Sequence, residues 1–202
     1  MIIGIPKEIL PGENRVAATP DTVAGYCRLG FAVLVEEGAG SGSFYTDEEY
    51  RLSGAEIVSG PEILYSRADV ILKVKEPAKN GNTGVHEIDL IRPGAAIITF
   101  LHPAAPGNHE TVRKMCDKGI SSFTMDGIPR ISRAQSMDAL TSMSTVTGYK
   151  SLLMAANRLS RFIPMISTSI GVIHPAVFLI IGAGVVGLQA IATAKRLGAV
   201  TR

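Results

Sequence analysis

The 202-residue sequence has no tryptophan, only 5% aromatic residues and two cysteines. The sparse aromatics leave little material for stacking on bases, and 20 basic against 18 acidic residues, a net charge of +2, give no electrostatic case for nucleic acid. Cys27 and Cys116 lie far apart without metal-ligand spacing, so both are expected to be reduced, cytoplasmic thiols and no metal site is expected. The start, Met1 to Glu8, has no basic segment followed by a long apolar stretch, which argues against a secretory signal. No apolar run approaches the roughly 20 residues that span a bilayer, so no direct membrane insertion is expected. What is abundant is core material: 46% of the residues are hydrophobic and 19% charged.

Short apolar runs alternate with helical stretches from the first residue. Ile2–Ile5, Phe31–Val35, Ala55–Val58, Val70–Val74, Ala96–Leu101 and Ser121–Met125 read as strands. Their lack of polar alternation suits a parallel sheet buried on both faces. Thr19-Pro20 starts a helix that Gly30 ends, Thr46-Asp-Glu-Glu49 is a capping box closed by Gly54, and Asn108 is expected to cap a helix running to Lys118. This alternation predicts an α/β fold with a doubly wound parallel sheet. A single long helix is expected from Ala134 to Leu159, then a loop from Pro164 to Pro175. The expected organisation is an N-terminal domain over 1–133, a bridging helix and loop over 134–175, and the start of a Rossmann-type nucleotide-binding domain over 176–202.

That last segment carries the sharpest motif. The apolar run Val177–Ile181 enters Gly182-Ala-Gly184-Val185-Val186-Gly187, and a helix-like stretch follows to Leu197. In a dinucleotide site the first glycine permits the tight turn, the second lets the backbone approach the pyrophosphate, and the third lets helix and strand pack closely. The helix start adds free N–H groups and partial positive charge. The bland alternative is a structural turn. The acidic ribose partner is expected roughly 20 residues onward, past Arg202, so the site is begun and not finished within these residues. A sheet lacking its remaining strands is expected to expose apolar surface.

Other candidates cluster at expected strand ends. Arg15, after the first strand, can clamp a carboxylate or be a surface arginine. Lys73 and Lys75 end the fourth strand and, by alternation, point to one side; Lys75 can polarise a carbonyl or sit in a solvated charge pair. His102, after the fifth strand, can exchange a proton near neutrality or be structural. The polar stretch Met125–Asp138 then leads into the long helix. Gln135 and Asp138, three residues apart, are expected on one helical face; with Arg130 they offer an amide, a carboxylate and a guanidinium. Gln135 has the donor and acceptor that a carboxamide ligand needs. A helix N-terminus tied down by a salt bridge is the plain alternative.

Gly4-Ile-Pro-Lys-Glu8, Asn14-Arg-Val-Ala17, Arg130-Ile-Ser-Arg-Ala-Gln-Ser-Met-Asp138, Gly148-Tyr149 and the span from Ile181 through Gly198 resemble the NAD(H)-binding domain I (alpha subunit) of proton-translocating NAD(P) transhydrogenase. The same fold family includes alanine dehydrogenase. The resemblance covers nearly the whole chain. It implies an oxidoreductase with NAD(H) as cofactor, whose nicotinamide end is held by Arg130, Gln135 and Asp138. Thr141 stands where the family has a serine, and Gly182, Gly184, Val185, Val186 and Gly187 are at the pyrophosphate. It also implies an NADP(H)-binding partner domain, a membrane domain, a homodimer, and a cytoplasmic chain held at the inner membrane through its partners. Lys75 and His102 look like the substrate lysine and catalytic histidine of alanine dehydrogenases, and Arg15 is shared by both branches. An alanine-dehydrogenase-like oxidoreductase is therefore the second reading. A non-catalytic chain that acts by association is the third. Members of the family continue through the rest of the nucleotide domain, whereas this sequence stops after one strand and one helix of it.

Overall fold

The computed structural model describes residues Met1–Arg202. They divide into two compact units, Met1–Ile128 and Pro129–Arg202. The first is built on six strands: β1 (Ile2–Ile5), β2 (Ala32–Glu36), β3 (Glu56–Val58), β4 (Val70–Lys75), β5 (Ala96–Phe100) and β6 (Ser121–Thr124). All pair in parallel, in the order β3-β2-β1-β4-β5-β6. The expected doubly wound parallel sheet is present, each strand lying within two residues of its expected ends.

Five helices cover the sheet: α1 (Pro20–Arg28), α2 (Asp47–Leu52), α3 (Pro61–Arg67), α4 (Glu87–Leu90) and α5 (His109–Asp117). Two hydrophobic clusters divide by strand alternation. Ile3, Ile5, Val33 and Val35 pack with Val23 of α1 and Tyr50 of α2. Leu34, Ile71 and Ile97 pack with Leu64 and Tyr65 of α3, Ile88 of α4 and Met115 of α5. Gly4 lets α3 press onto β1, since a Cβ there would stand 2.7 Å from the Ala68 Cβ and 2.9 Å from Leu64 Cδ2. The Thr46 capping box forms with both of its reciprocal bonds. α3 and α4 were not foreseen, because seven- and four-residue helices are too short to show a helical period. Asn108 precedes α5 without capping it. Its side-chain amide instead donates to the carbonyls of Leu101 (2.8 Å) and His102 (3.4 Å).

In the second unit the long helix is shorter than expected. Ser132–Met137 winds as a 3₁₀ segment and α6 proper runs Ala139–Arg158, with Asp138 as its N-cap. The cap stops the α-helix from extending backward, so Gln135 and Asp138 do not share an α-helical face. The expected loop over 164–175 contains an antiparallel hairpin, β7 (Ile166–Thr168) with β8 (Gly171–Ile173). β9 (Val177–Phe178) pairs in parallel with β10 (Val200–Thr201) and is shorter than the expected Val177–Ile181, since only two residues of β10 lie beside it. α7 (Val185–Arg196) connects them. α6 is long, but no helix is long and apolar enough to cross a membrane.

Candidate functional site

In the second unit, the three glycines of the turn have three distinct geometries. Gly182 has φ +104°, a conformation that L side chains rarely adopt. A Cβ on Gly187 would overlap the Gly182 carbonyl oxygen, so only glycine lets the start of α7 lie against the turn. A Cβ on Gly184 would meet nothing within 4 Å. That open space over a backbone is where a pyrophosphate can approach. Gly184 is the N-cap of α7 and offers no side-chain bond. The first helical bond runs from Leu188 N to the Gly184 carbonyl (2.8 Å), so the N–H groups of Val185, Val186 and Gly187 precede the ladder.

A cleft of about 330 Å³ opens beside this turn. Gly182, Gly184, Val185, Val186 and Gly187 line one side of it, and Arg130, Thr141 and Ser144 the other. Its size suits part of an extended ligand. Ser144 escaped the sequence reading; the available signal was its position one helical turn after Thr141. Gly148, one turn further, explains the approach of the two helices. A Cβ there would overlap the Val186 carbonyl oxygen and lie 3.0 Å from the Gln189 Cβ.

Asp138 does not line the cleft. Its Oδ1 accepts the Thr141 N–H (2.9 Å) and its Oδ2 the Thr141 hydroxyl (2.6 Å). Those two bonds, hydroxyl first, hold its carboxyl below the ordinary aspartate range, with burial opposing and the charge of Arg130 assisting. The Thr141 proton is committed to Asp138, which leaves its oxygen free to accept from a ligand. Gln135 is exposed and also stands outside the cleft lining. The structure thus brings Arg130 and Thr141 to the glycine turn, binds Asp138 to Thr141, and leaves Gln135 outside the cleft lining.

The second cluster lies in the first unit, at the carboxyl edge between β1 and β4, where the strand order reverses. Open α/β sheets bind ligands at this point. Here Glu8 occupies it. Its carboxylate accepts from Lys73 Nζ (2.7 Å) and the Val74 amide (2.6 Å), and the Lys75 amide lies 3.4 Å from both its oxygens. Lys73 is fully buried and also pairs with Glu87 Oε1 at 3.4 Å, an atom that accepts the Tyr65 hydroxyl at 2.7 Å. Burial pushes the Glu87 carboxyl up, with the charge of Lys73 pulling the other way.

The expected alternation of Lys73 and Lys75 fails because β4 bulges. Leu72 pairs with Ile98 but Lys75 pairs with Phe100, so one extra residue sits in β4. Lys73 is therefore a buried ion-pair member, and Lys75 stays half-buried at the strand end. Arg15 is held by Glu13 through Nε–Oε1 (2.7 Å) and Nη2–Oε2 (2.5 Å). That fork lowers the Glu13 carboxyl, burial opposing, and Lys75 contributes to the same lowering through its charge. Arg15 and Lys75 therefore meet electrostatically at Glu13. His102 follows two residues after the partner of Lys75.

The Alanine dehydrogenase/PNT N-terminal domain profile matches residues 4–147, and the Alanine dehydrogenase/PNT C-terminal domain profile matches residues 151–202. An NAD(P) transhydrogenase alpha-subunit polypeptide of Rhodospirillum rubrum is 45% identical over 99% of this chain and 51% of its own length. The crystal structure of transhydrogenase from Sinorhizobium meliloti superposes with a TM-score of 0.90 at 43% identity, covering all of this chain and 55% of that one. An L-alanine dehydrogenase structure superposes with a TM-score of 0.83 at 30% identity, covering 98% of this chain and 53% of that one. The chain spans about half the length of these relatives. With a six-stranded 3-2-1-4-5-6 sheet, a dinucleotide-type turn and these matches along both units, the chain belongs to the alanine dehydrogenase/PNT family.

Proposed function

We propose that this chain is the NAD(H)-binding portion of an NAD(P) transhydrogenase alpha subunit. The observation that carries the reading is the turn at Gly182–Gly187, with open space over Gly184 facing a cleft walled by Arg130, Thr141 and Ser144. Residues 129–202 then open the nucleotide domain, with 134–175 as the scaffold that faces its glycine turn. When bound, the reduced nicotinamide supplies a hydride to the oxidised form of NADP(H) carried by a partner domain, and a membrane domain couples the transfer to proton movement. The chain needs no nucleophile for this. Val185, Val186 and Gly187 offer N–H groups to the pyrophosphate. Thr141, fixed by Asp138, offers an acceptor, and Gln135 and Arg130 serve the carboxamide end. Holding two nicotinamides in near-attack geometry supplies most of the acceleration. Further elements of the reading are a homodimer and a location at the cytoplasmic side of the inner membrane, through the partner subunits. The test is a fluorescence titration with NADH. In a chain carrying the completed nucleotide domain, Gly184→Leu should abolish binding by filling the phosphate space, and unchanged affinity would remove this turn as the phosphate site.

The edge of the first unit supports a second reading, an alanine-dehydrogenase-like oxidoreductase. Arg15 and Lys75, coupled through Glu13, would bind a 2-oxo acid, with His102, two residues beyond the strand partner of Lys75, as acid or base. Pyruvate- and ammonia-dependent NADH oxidation would single it out. Binding of NADH with turnover only on addition of an NADP(H)-bearing domain would single out the first.

A further inference from the structure

His102 sits in a backbone conformation unusual for its type, at φ +47°, one of only two non-glycine residues with positive φ. Such conformations persist where surrounding contacts over-determine them. Here one carboxylate does most of that. Asp126 Oδ2 accepts the His102 backbone N–H at 2.8 Å, and Asp126 Oδ1 lies 2.8 Å from Nδ1 of the same imidazole. Asp126 therefore grips the backbone and the ring of one residue at once.

The grip is itself supported. The Thr124 hydroxyl donates to Asp126 Oδ2 (2.7 Å) and accepts the Leu101 amide (3.3 Å), and Asn108 holds the Leu101 and His102 carbonyls from the other side. The imidazole lies over the Phe100 ring with 6.4 Å between centroids and 27° between planes. An ionised carboxylate facing Nδ1 can only accept, so a neutral imidazole must carry its proton there. Nε2 is left as the open ring nitrogen with its lone pair.

We propose that Asp126 is a positioning residue that fixes His102 as the Nδ1–H tautomer, aiming Nε2 outward as the proton-exchanging atom at the β5 edge. For the reaction this rests on the dehydrogenase reading above; the positioning itself does not. The second cluster of candidates thereby acquires a member, Asp126, placed on the 3₁₀ turn that follows β6.

The experiment is long-range ¹H–¹⁵N NMR of the His102 side chain in the full chain, with the ring neutral. It compares the parent with Asp126→Ala and the isosteric Asp126→Asn. The parent should show a protonated Nδ1 and a bare Nε2. Removing the charged acceptor should shift the tautomer ratio toward Nε2–H by about tenfold and move the His102 backbone amide resonance. Should the alanine variant fail to fold, the asparagine variant decides, because its single acceptor oxygen cannot serve both the amide and the ring. A parent ring protonated on Nε2, or a ratio unchanged in the folded variants, overturns the proposal. Absence of pyruvate-dependent NADH oxidation in a chain that binds NADH, with the Nδ1–H tautomer intact, removes the dehydrogenase reading and leaves the positioning role standing.

Discussion

At Phe44, φ is +64° and the side chain is 94% exposed, so the ring gains nothing from burial while the backbone is left-handed. Left-handed conformation costs a residue with a Cβ about 1–2 kcal/mol, and glycine gives part of that back in unfolded-state entropy. Phe44→Gly should raise stability by about 0.5–1 kcal/mol, read as a higher urea midpoint; a lower midpoint would mean that the ring has a contact of its own. Glu87 is governed by charge. Burial raises its folded-state affinity for a proton above that in the unfolded chain. The folded state therefore binds more protons through the window above the ordinary glutamate pKa, and stability from this group is present at low pH and lost as pH rises through it. Against Glu87→Gln, the parent should lose relative stability as pH rises above the ordinary glutamate range. A relative gain there would show that the Lys73 pairing outweighs burial.

Among the elements, α6 and α7 show most directly how a small residue sets a site. Gly148, Ser144 and Thr141 recur along α6 at spacings of four and three residues, so one face of the helix carries the close contact and the cleft wall together. Gly148→Ala must push the first turn of α7 away, because the added methyl meets the Val186 carbonyl rather than a flexible side chain. Overpacking of this kind costs about 1–3 kcal/mol, and guanidinium denaturation followed on α6 or α7 resonances should report it. An alanine variant as stable as the parent would mean that the helices separate freely. At this scale the capping box at Thr46 and the Thr19-Pro20 start were legible in advance, since caps are local chemistry. The start of α6 was not: Asp138 caps it only because both of its oxygens turn back onto Thr141, and apolar periodicity carries no trace of that choice.

For the whole molecule, the second unit leaves a large apolar surface in water. Val177, Leu179 and Ile181, along and beyond β9, are 56%, 73% and 91% exposed, and β9 has one paired neighbour of two residues. Unpaired strand edges with apolar side chains associate, and a net charge of +2 provides little repulsion against it. These 202 residues by themselves should therefore self-associate. Light scattering coupled to size exclusion tests this. A stable monomer would sink the expectation.

The order of strands in the first unit, three of its five helices, its parallel sheet and the glycine turn were determined by the sequence itself. Apolar runs, caps and glycines act over a few residues, and a parallel sheet buried on both faces leaves few ways to arrange them. Which candidates meet was decided only by tertiary structure. Glu8 finds Lys73 across 65 residues, and Asp126 finds His102 across 24. The bulge that separates the fates of Lys73 and Lys75 exists only in the pairing of β4 with β5. Long-range pairing of charges depends on where strand ends stop relative to one another, and that register is a property of the packed sheet.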